Sequence, residues 1–464
     1  MTVGASSVDA LRERLGPDMV LTDPPSLAAC RHDYWVMSHL RRRIGQLGAP
    51  PACVVRPATT ADVATALSVA SEHRTPVVTF GAGSGVCGGV LAPPGSIILD
   101  ISRLDRMIDL NQTSLTATVQ SGMRGDAFEA ALGRRGYSMG HFPQSIAVST
   151  VGGWVATRAS GQFSTRYGSI EDMLMGFEAV LASGEVVRLK PVPRRSTGPD
   201  LCALFLGSEG TLGVLTELTF RIHPQPEHRQ LGSYAFEDMC AGMEAIRRVM
   251  RAGWNPAVLR LYDEIETAQH FPAETRCCLL LVLSEGSKSA VEAEALAVAA
   301  IAEEAGGTPR GEAAVAQWLD HRNEVPTWDQ LLDHGIIADT IEVAAAWDQA
   351  PRVYEDAITA LRQVPNLLLA SGHSSHSYPQ GTCLYITLAI HPGDLADGPE
   401  LYEQCWDATM RATLAAGGTI SHHHGIGRVR RRWLAEELGS AYGLLRALKD
   451  ALDPHGIMNP GVLV

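Results

Sequence analysis

The chain has 464 residues, of which 45% are hydrophobic, and its formal net charge is −13. This length allows a large core and more than one domain, and the acidic balance argues against nucleic acid or an anionic membrane surface as a partner. Nine scattered cysteines without a C-x-x-C pair, together with the lack of a signal-like or bilayer-length apolar run, favour a reducing cytoplasm.

The first half of the chain is predicted to begin with helices over residues 1–46 and to become α+β from Ala52. Apolar runs bounded by glycine or proline predict strands, and apolar residues at helical spacing predict helices. The predicted strands cover residues 53–56, 76–80, 96–101, 114–120, 175–181, 186–189 and 214–222. The predicted helices cover residues 59–73, which begin Thr-Thr-Ala-Asp, and 125–135.

A boundary between domains is predicted at residues 223–227, where two prolines follow the last of these strands. The second half has an α+β pattern of its own. Its predicted elements are helices over 236–252, 289–304 and 402–415 and strands over 279–283 and 382–390, followed by a helical stretch over 422–464. The chain therefore divides into segments 1–46, 47–225, 226–420 and 421–464.

A glycine-rich stretch follows the predicted strand at 76–80. Gly83, Gly85 and Gly88 match G-x-G-x-x-G, but that dinucleotide motif must open a helix, and here a proline-containing segment leads into another strand. The stretch is therefore either a plain tight turn or a nest of backbone N–H groups around an anion. In the second case a Cβ at Gly83 would enter the space of the ligand.

Four later segments have a similar character, because small and hydroxyl-bearing residues dominate them. They cover residues 141–145, 149–153, 157–161 and 207–213. Such runs cost backbone entropy and pack little, so a chain that carries several in one half is expected to lay its backbone along a large polar ligand.

Together these segments resemble the FAD-binding fold of the vanillyl-alcohol oxidase and p-cresol methylhydroxylase (PCMH) superfamily. The runs STVGGWVATRASG, STGPD and SEGTLGVLTE are most similar to alkyldihydroxyacetonephosphate synthases, and DPHGIMNPG is more similar to FAD-linked 2-hydroxy-acid dehydrogenases. The resemblance implies an α+β fold. A PCMH-type FAD-binding domain would cover 47–225 and an α/β cap (substrate) domain 226–420, and the C-terminal segment 421–464 would return to complete the active site.

The resemblance also implies which residues hold FAD. The first loop would cradle the pyrophosphate, the middle loops would follow the ribityl chain and the ring, and the last would hold the adenosine. The residues are Gly81, Ala82, Gly83, Ser84, Gly85, Val86, Gly88, Gln144, Ser145, Ser149, Thr150, Gly153, Thr157, Arg158, Ser160, Glu209, Gly210, Thr211, Gly213 and Val214. Relatives with covalent flavin often carry a histidine in the region of Ser84, so non-covalent FAD is expected.

Catalytic chemistry is predicted at His422, His423 and His424, in the run Ser-His-His-His-Gly-Ile-Gly. Adjacent side chains point in different directions, so the three cannot all ligate one ion on a regular element, and imidazole is the usual proton carrier near neutral pH. The synthases share this triplet, whereas 2-hydroxy-acid dehydrogenases have a glutamate at the position of His423.

A zinc site formed by His373, His376 and His423 is the metal alternative. The metal-dependent hydroxy-acid dehydrogenases that this region resembles carry His-x6-His and a glutamate. Here Gln380 stands at the second histidine position and His423 at the glutamate position, so no metal is expected.

Tyr378 and Arg260 complete the predicted site. A phenol can carry a proton once cationic neighbours lower its pKa, and the resemblance aligns Tyr378, in YPQGTCLYIT, with the catalytic tyrosine of the synthases; otherwise it is a packed strand residue. Arg260 interrupts an apolar strand and is either an edge charge or, as the synthase pattern implies, a fork for a carboxylate or phosphate. A second synthase arginine is replaced by Trp328, and Arg322 lies nearby in sequence as a substitute.

Three functions follow. The first is an FAD-linked oxidoreductase acting on a small, hydroxyl-bearing, anionic substrate of the 2-hydroxy-acid type. The second is an ether-lipid synthase that exchanges acyl and alkoxy groups on FAD without net redox change. The third, a non-catalytic flavin-binding protein, is disfavoured by the histidine and tyrosine clusters, and the loss of the second arginine favours the first. A homodimer is left open.

Overall fold

A computed structural model describes residues 6–274, 276–324 and 327–464 of the chain. Its strands are β1 (Val20–Leu21), β2 (Cys53–Val55), β3 (Val77–Phe80), β4 (Ile97–Asp100), β5 (Met107–Asn111), β6 (Thr116–Gln120), β7 (Tyr137–Ser138), β8 (Leu174–Val180), β9 (Val186–Leu189), β10 (Val214–Arg221), β11 (His223–Pro224), β12 (His228–Phe236), β13 (Val258–Tyr262), β14 (Cys278–Gly286), β15 (Thr308–Gly311), β16 (Ile337–Ala346), β17 (Leu367–Ser377) and β18 (Gly381–Ile390). Its helices are α1 (Ser7–Leu15), α2 (Pro24–Ala29), α3 (Val36–Arg43), α4 (Thr60–His73), α5 (Gly125–Gly133), α6 (Val151–Thr157), α7 (Ser164–Tyr167), α8 (Ile170–Met173), α9 (Cys202–Phe205), α10 (Met239–Arg251), α11 (Glu264–His270), α12 (Lys288–Glu304), α13 (Ala313–His321), α14 (Trp328–Asp333), α15 (Ala350–Leu361), α16 (Gly398–Ala415), α17 (Arg431–Leu438) and α18 (Tyr442–Leu452).

The first sheet has the strand order β1-β2-β4-β3, in which β2, β4 and β3 run parallel. Helix α4 covers one face, and its start is fixed by a capping box in which the Thr59 hydroxyl accepts from the Asp62 N–H and the Asp62 carboxylate accepts from the Thr59 N–H. The prediction that residues 1–46 form helices is wrong at Val20 and Leu21, within the described part of this segment. Val20 and Leu21 pair antiparallel with β2, because this edge position buries Val20 in the same core.

The second sheet is antiparallel, with the order β5-β6-β10-β8-β9. Helices α5 and α6 pack Phe128 and Trp154 into the same core as Phe220 of β10. Helices α6 and α7 lie within the glycine-rich residues 140–168, where the sequence predicted no regular element. Thr150 caps α6 by accepting a hydrogen bond from the Gly153 N–H at 3.2 Å.

The second half is built on an antiparallel seven-stranded sheet with the order β15-β12-β14-β13-β17-β18-β16. Strand β14 explains the apolar run at 279–283, because its side chains alternate between two cores. Leu280 and Val282 join α10, α12, α15 and α16 on one face, whereas Leu279 and Leu281 join the core of the second sheet on the other. This sheet therefore faces the first half of the chain.

The C-terminal segment returns to the first half. Met458 forms a parallel bridge with Val77, and the Asn459 amide donates to the carbonyl oxygens of Gly89 and Glu209 at 2.9 and 2.7 Å. The prediction that residues 422–464 are helical is wrong outside α17 and α18. Residues 422–430 form an irregular loop, and Gly427 has a φ of +53° and lies where a Cβ would sit 2.1 Å from the Cys87 carbonyl oxygen.

Sheet membership changes between β11 and β12, at the place where the sequence predicted a domain boundary; the four-segment division stays a prediction. All nine cysteines are free thiols. Over the ranges that the structure describes, none of the helices combines the length and the apolarity that crossing a membrane requires.

Candidate active site

The first glycine-rich loop connects β3 to β4 without forming a helix, as the sequence predicted. Gly83 and Gly88 have φ values of +70° and +72°, which favour glycine. The expectation that a Cβ at Gly83 would meet the ligand stays a prediction, and the structure gives a second reason why this Cβ is not tolerated. That atom would lie 2.9 Å from the Phe80 ring, and a Cβ at Gly88 would lie 2.6 Å from Trp35. Protein packing therefore requires these two glycines directly.

Most of the predicted FAD-binding residues lie in loops that the fold brings together. A Cβ at Gly81 would lie 2.5 Å from the Thr150 hydroxyl, and a Cβ at Gly210 would lie 3.5 Å from the Thr79 hydroxyl, so the three loops converge near the end of β3. Ala82, Ser84, Gly85, Val86 and Ser145 are half-buried, Gln144 is exposed, and Thr211 and Val214 are buried. The loop that contains Thr211 is tied to α18, because the Lys449 ammonium donates to the Thr211 carbonyl at 2.8 Å.

The hydroxyl groups of the middle loops serve partly to hold the loops themselves. Ser149 donates to the Ser145 carbonyl at 2.9 Å, and Thr157 donates to the Gly153 carbonyl at 3.0 Å. Ser160 forms a hydrogen bond with the Ser169 hydroxyl. Arg158, in a left-handed conformation at φ +54°, points outward to an ion pair with Glu171 at 3.0 Å. Because these side chains bond within the middle loops or point outward, a ligand would contact mainly the backbone of the loops.

Several buried polar atoms beside these loops are available to a ligand. Among the described residues, the Thr79 hydroxyl, both ring nitrogens of His141 and the Asn459 side-chain oxygen have no hydrogen-bond partner. Burial lowers the pKa of His141 to about 3, so this imidazole is neutral and offers one donor and one acceptor. Because unpaired buried polar groups are costly, their grouping here fits a large polar ligand such as FAD.

Glu209, predicted to contact the cofactor, directs its carboxylate to the C-terminal loop instead. It accepts hydrogen bonds from the Ile426 N–H at 2.7 Å and the Gly427 N–H at 2.9 Å. Burial raises the pKa of Glu209 to about 7, although these two N–H groups oppose that rise. The side chain therefore connects the FAD-binding half to the loop that carries the histidine triplet.

A second buried carboxylate, Glu342 of β16, holds the other side of this loop. It accepts from the backbone N–H groups of His422 and His424, the latter at 2.8 Å, and from the Ser421 hydroxyl at 3.0 Å. Arg430 lies 3.1 Å from it, and both side chains are fully buried. The triplet is thus held by two carboxylates, of which the sequence analysis named Glu209 in another role and missed Glu342. Glu342 interrupts an apolar strand, as Arg260 does. The same pattern that singled out Arg260 could therefore have identified Glu342 from the sequence.

The predicted Tyr378 and histidine triplet come together. Tyr378 begins the tight turn between β17 and β18, where Pro379 and Gly381 suit a β-turn, and the Tyr378 N–H donates to the Gly381 carbonyl at 2.8 Å. Its hydroxyl lies 2.8 Å from His422 Nε2 and 3.4 Å from the Ser169 hydroxyl of the FAD-binding half. The tyrosine therefore lies where the two halves meet.

The expected lowering of the Tyr378 pKa is not found. Burial raises the pKa of Tyr378 to about 12, although the hydrogen bond to Ser169 opposes that rise. Burial also lowers the pKa of His422 and of His424 to about 4, and it holds that of His423 well below its usual range. At neutral pH the triplet is uncharged, so each ring acts as one donor and one acceptor.

Arg260 is half-buried within a cluster of side chains on the seven-stranded sheet. Its Nε donates to the Tyr262 hydroxyl and its Nη2 to His373 Nε2, both at 2.7 Å. His373 Nε2 therefore accepts, and its Nδ1–H donates to Glu266 at 2.7 Å. Burial raises the pKa of Glu266, but His373 and Arg260 bring it down to about 2, so this carboxylate balances the guanidinium.

His376 and the candidate metal ligands lie in the same cluster. His376, in a left-handed conformation at φ +53°, occupies a bulge of β17 and bonds to the Ser164 hydroxyl at 2.7 Å. Within the described part of the chain, Cys383, His422 and His423 form a group whose ligand atoms lie within 4.8 Å of one another. This set differs from the zinc alternative weighed on the sequence, and the prediction of no metal stays a prediction.

The chain is similar to known FAD-linked proteins over both of its halves. The model of the FAD linked oxidases, C-terminal domain, matches residues 225–463, and that of the FAD binding domain matches residues 51–190. The uncharacterized FAD-linked oxidoreductase YgcU of Escherichia coli (strain K12) is 35% identical, covering 99% of this chain and 98% of its own. The alkyldihydroxyacetonephosphate synthase of Caenorhabditis elegans is 29% identical over 93% of this chain and 79% of its own.

Solved structures share the fold. A crystal form of an alkyldihydroxyacetonephosphate synthase has a TM-score of 0.82 at 24% identity, covering 98% of this chain and 85% of that one. A p-cresol methylhydroxylase structure with substrate bound has a TM-score of 0.78 at 18% identity, covering 98% of this chain and 96% of that one. The predicted α+β, PCMH-type architecture is confirmed.

Proposed function

We propose that this chain, which belongs to the FAD-linked oxidase family, is an oxidoreductase that removes a hydride from a hydroxyl-bearing carbon of a small anionic substrate. The observation that carries the proposal is the 2.8 Å contact between the Tyr378 hydroxyl and His422 Nε2, in the cluster that also contains Arg260. A group that takes a proton and a group that holds an anion are what oxidation of a 2-hydroxy acid requires.

FAD is the cofactor, as the sequence predicted. When bound, it supplies a two-electron acceptor, while the protein supplies binding, orientation and proton transfer. We assign its binding to the loops over 81–88, 141–161 and 207–214, where Thr79, His141 and Asn459 offer unpaired buried polar atoms. Non-covalent attachment is part of the proposal, because Ser84 cannot form the histidyl bond of the covalent relatives.

Tyr378 is the residue we assign to the proton of the substrate hydroxyl. Its oxygen is close to His422 of the C-terminal loop and Ser169 of the first half, so it lies where the two halves of the chain meet. His422 is neutral at working pH, because burial holds its pKa near 4, and it can therefore donate a hydrogen bond to the phenol oxygen without carrying charge.

We infer that the substrate is anionic because two arginine side chains lie over the ring of the same tryptophan. The guanidinium carbons of Arg260 and Arg322 lie 6.0 and 5.8 Å from the Trp318 ring, so they are within about 12 Å of each other. Arg322 also contacts Phe142, beside the predicted ring-binding segment, at 5.5 Å. Burial, with Arg229 nearby, lowers the pKa of Arg322 only to about 10, so it stays charged at neutral pH. Two cations in an acidic protein favour a carboxylate or phosphate substrate.

The alternative is an alkyldihydroxyacetonephosphate synthase-type reaction, which changes no net oxidation state. It is favoured by the 29% identity to the Caenorhabditis elegans enzyme and by the histidine triplet. Against it stands Trp328, which replaces the second arginine of the synthase pattern. This indole stacks on Tyr34 at 5.6 Å and donates to the Tyr34 carbonyl at 2.7 Å, so the side chain at this position packs and carries no charge.

The experiment is an anaerobic screen of the FAD-loaded protein with 2-hydroxy acids and acyl-glycerone phosphate side by side. We expect a 2-hydroxy acid to bleach the flavin absorbance. If acyl-glycerone phosphate plus a long-chain alcohol gave ether product while the flavin stayed oxidised, and no hydroxy acid bleached it, the synthase alternative would replace the proposal.

A further inference from the structure

Four side chains form a continuous chain of hydrogen bonds that ends beyond the predicted triplet. The Tyr378 hydroxyl lies 2.8 Å from His422 Nε2, His422 Nδ1 lies 2.8 Å from His423 Nδ1, and His423 Nε2 lies 2.6 Å from the Tyr385 hydroxyl. We call these four residues the relay. Tyr385, on β18, was not among the predicted site residues. Its ring stacks on His373 at 4.5 Å, which fixes its position next to the Arg260 cluster.

The contact between the two Nδ1 atoms restricts the proton positions of the whole relay. Burial holds both imidazoles neutral, so each ring has one N–H and one bare nitrogen. If His422 donates through Nδ1, its Nε2 must accept from Tyr378, and His423 must donate through Nε2 to Tyr385. If His423 donates through Nδ1, every one of these bonds reverses. The relay therefore has two proton orders, and only one tyrosine can donate into it in each.

The surroundings of the two tyrosines select one order. Within the described residues, the Tyr385 hydroxyl has no other hydrogen-bond partner than His423, and their contact is the shorter one, at 2.6 Å. Tyr378 has a second partner, the Ser169 hydroxyl at 3.4 Å, and lies at the junction of the two halves. If Tyr385 only accepted from His423, its own buried O–H would have no acceptor, whereas the Tyr378 O–H can donate to Ser169. Tyr385 is thus the donor into the relay.

We propose that Tyr385 is a positioning residue that sets the proton order of the relay, so that His423 carries its proton on Nδ1 and His422 donates through Nε2 to the Tyr378 oxygen. This use of the relay rests on the proposed function. In that reaction the substrate O–H bond breaks, its proton forms a new O–H bond on ionised Tyr378, and the C–H electron pair leaves as hydride to the bound FAD. An N–H donor aimed at Tyr378 stabilises its ionised form, against the burial that raises its pKa to about 12.

Long-range ¹H–¹⁵N correlation of the holoenzyme, labelled with ¹⁵N-histidine, reads these tautomers directly. His422→Asn and His423→Asn assign the signals. We expect the wild type to show His422 protonated on Nε2 and His423 on Nδ1. In Tyr385→Phe only Tyr378 can donate, so both tautomers should reverse. Tyr354→Phe is the matched control, because it removes a hydroxyl bonded to Asp263 at 2.8 Å outside the relay and should leave both tautomers unchanged.

If His422 of the wild type is protonated on Nδ1, the proposal is wrong. This measurement needs no variant, so the proposal can be refuted even if the Tyr385→Phe protein does not fold. Unchanged tautomers in a folded Tyr385→Phe protein of normal FAD content also overturn it. The measurement needs no substrate. If no hydroxy acid bleached the flavin, the proposed reaction would be wrong but the proton order could still be correct. If a hydroxy acid bleached it while the tautomers were the opposite ones, only the proton order would be wrong.

Discussion

Neutralising Glu342 should release the loop that carries the histidine triplet. Glu342→Gln keeps the size of the side chain but removes the charge that faces Arg430 at 3.1 Å, and both groups are fully buried. It also replaces one of the two acceptor oxygens that receive the N–H groups of His422 and His424. The other hydrogen bonds of Arg430, which include those to the carbonyls of Ile420 and Gly425, carry no compensating charge.

The size of the effect follows from burial. Leaving one partner of a buried ion pair without its counter-charge costs about 3–5 kcal/mol. If this cost falls on the folded loop, local opening becomes about a hundred-fold to a few thousand-fold more frequent, since each 1.4 kcal/mol is about tenfold. The peptide that spans residues 419–430 should therefore exchange its amide hydrogens faster by about that factor, while strands β12 and β14 keep their protection.

Hydrogen exchange followed by mass spectrometry measures this, and Glu437→Gln is the matched control. Glu437 accepts from the Thr419 hydroxyl and, at 3.3 Å, from the Ile420 N–H, so it holds the same segment without a buried cation. We expect its substitution to cost less than about 1.5 kcal/mol. Equal exchange in the two variants would refute the reasoning that charge compensation of Arg430 holds the loop.

Four further results are expected. Tyr378→Phe should slow flavin reduction by about 10²–10⁴-fold with unchanged FAD content, because a positioned proton acceptor is lost; stopped-flow absorbance checks this. Arg260→Lys should mainly raise KM, because lysine keeps the charge but loses the fork, and steady-state kinetics checks this. Acid or heat treatment should release free FAD into the supernatant, because Ser84 offers no covalent bond. Folded Glu209 keeps its proton up to a pKa of about 7, whereas an unfolded glutamate loses it near 4.5, so the stability of the wild type relative to Glu209→Gln should fall as pH rises between those values. Denaturant unfolding at pH 5 and pH 8 checks this.

Each of these has a distinct contrary result. Wild-type reduction rates in Tyr378→Phe would return Tyr378 to a packing role. An unchanged KM in Arg260→Lys would remove the main support for an anionic substrate. Flavin that stays with the precipitated protein would contradict non-covalent binding. A stability difference between wild type and Glu209→Gln that is flat with pH would mean that the Glu209 carboxylate is ionised in the fold across this range.

Local patterns were sufficient where one segment determines its own structure. The capping box of Thr59 and Asp62 is a short-range signal, and helix α4 begins where it predicts. The first glycine loop enters no helix, which the prolines after it indicated. By contrast, strand β1 of only two residues forms because β2 is beside it, and no local pattern of Val20 and Leu21 carries that information.

Most of the site features that were not predicted from the sequence depend on contacts between segments far apart in the chain. Glu209 and Glu342 hold one loop from two halves of the chain, and both bonds depend on the C-terminal segment returning across the molecule. The lowered pKa expected for Tyr378 assumed charged histidines, whereas burial keeps them neutral. Tyr385 joins the site only through the pairing of β17 with β18 beside the triplet.

The most direct test of the central proposal is a single-turnover experiment without oxygen. FAD-loaded protein is mixed with the 2-hydroxy acid that bleaches it, and the flavin reduced and the 2-oxo acid formed are both quantified. We predict one 2-oxo acid for each flavin reduced, with both slowed together in Tyr378→Phe. Ether product formed from acyl-glycerone phosphate and a long-chain alcohol, at full turnover with the flavin oxidised throughout, would contradict it.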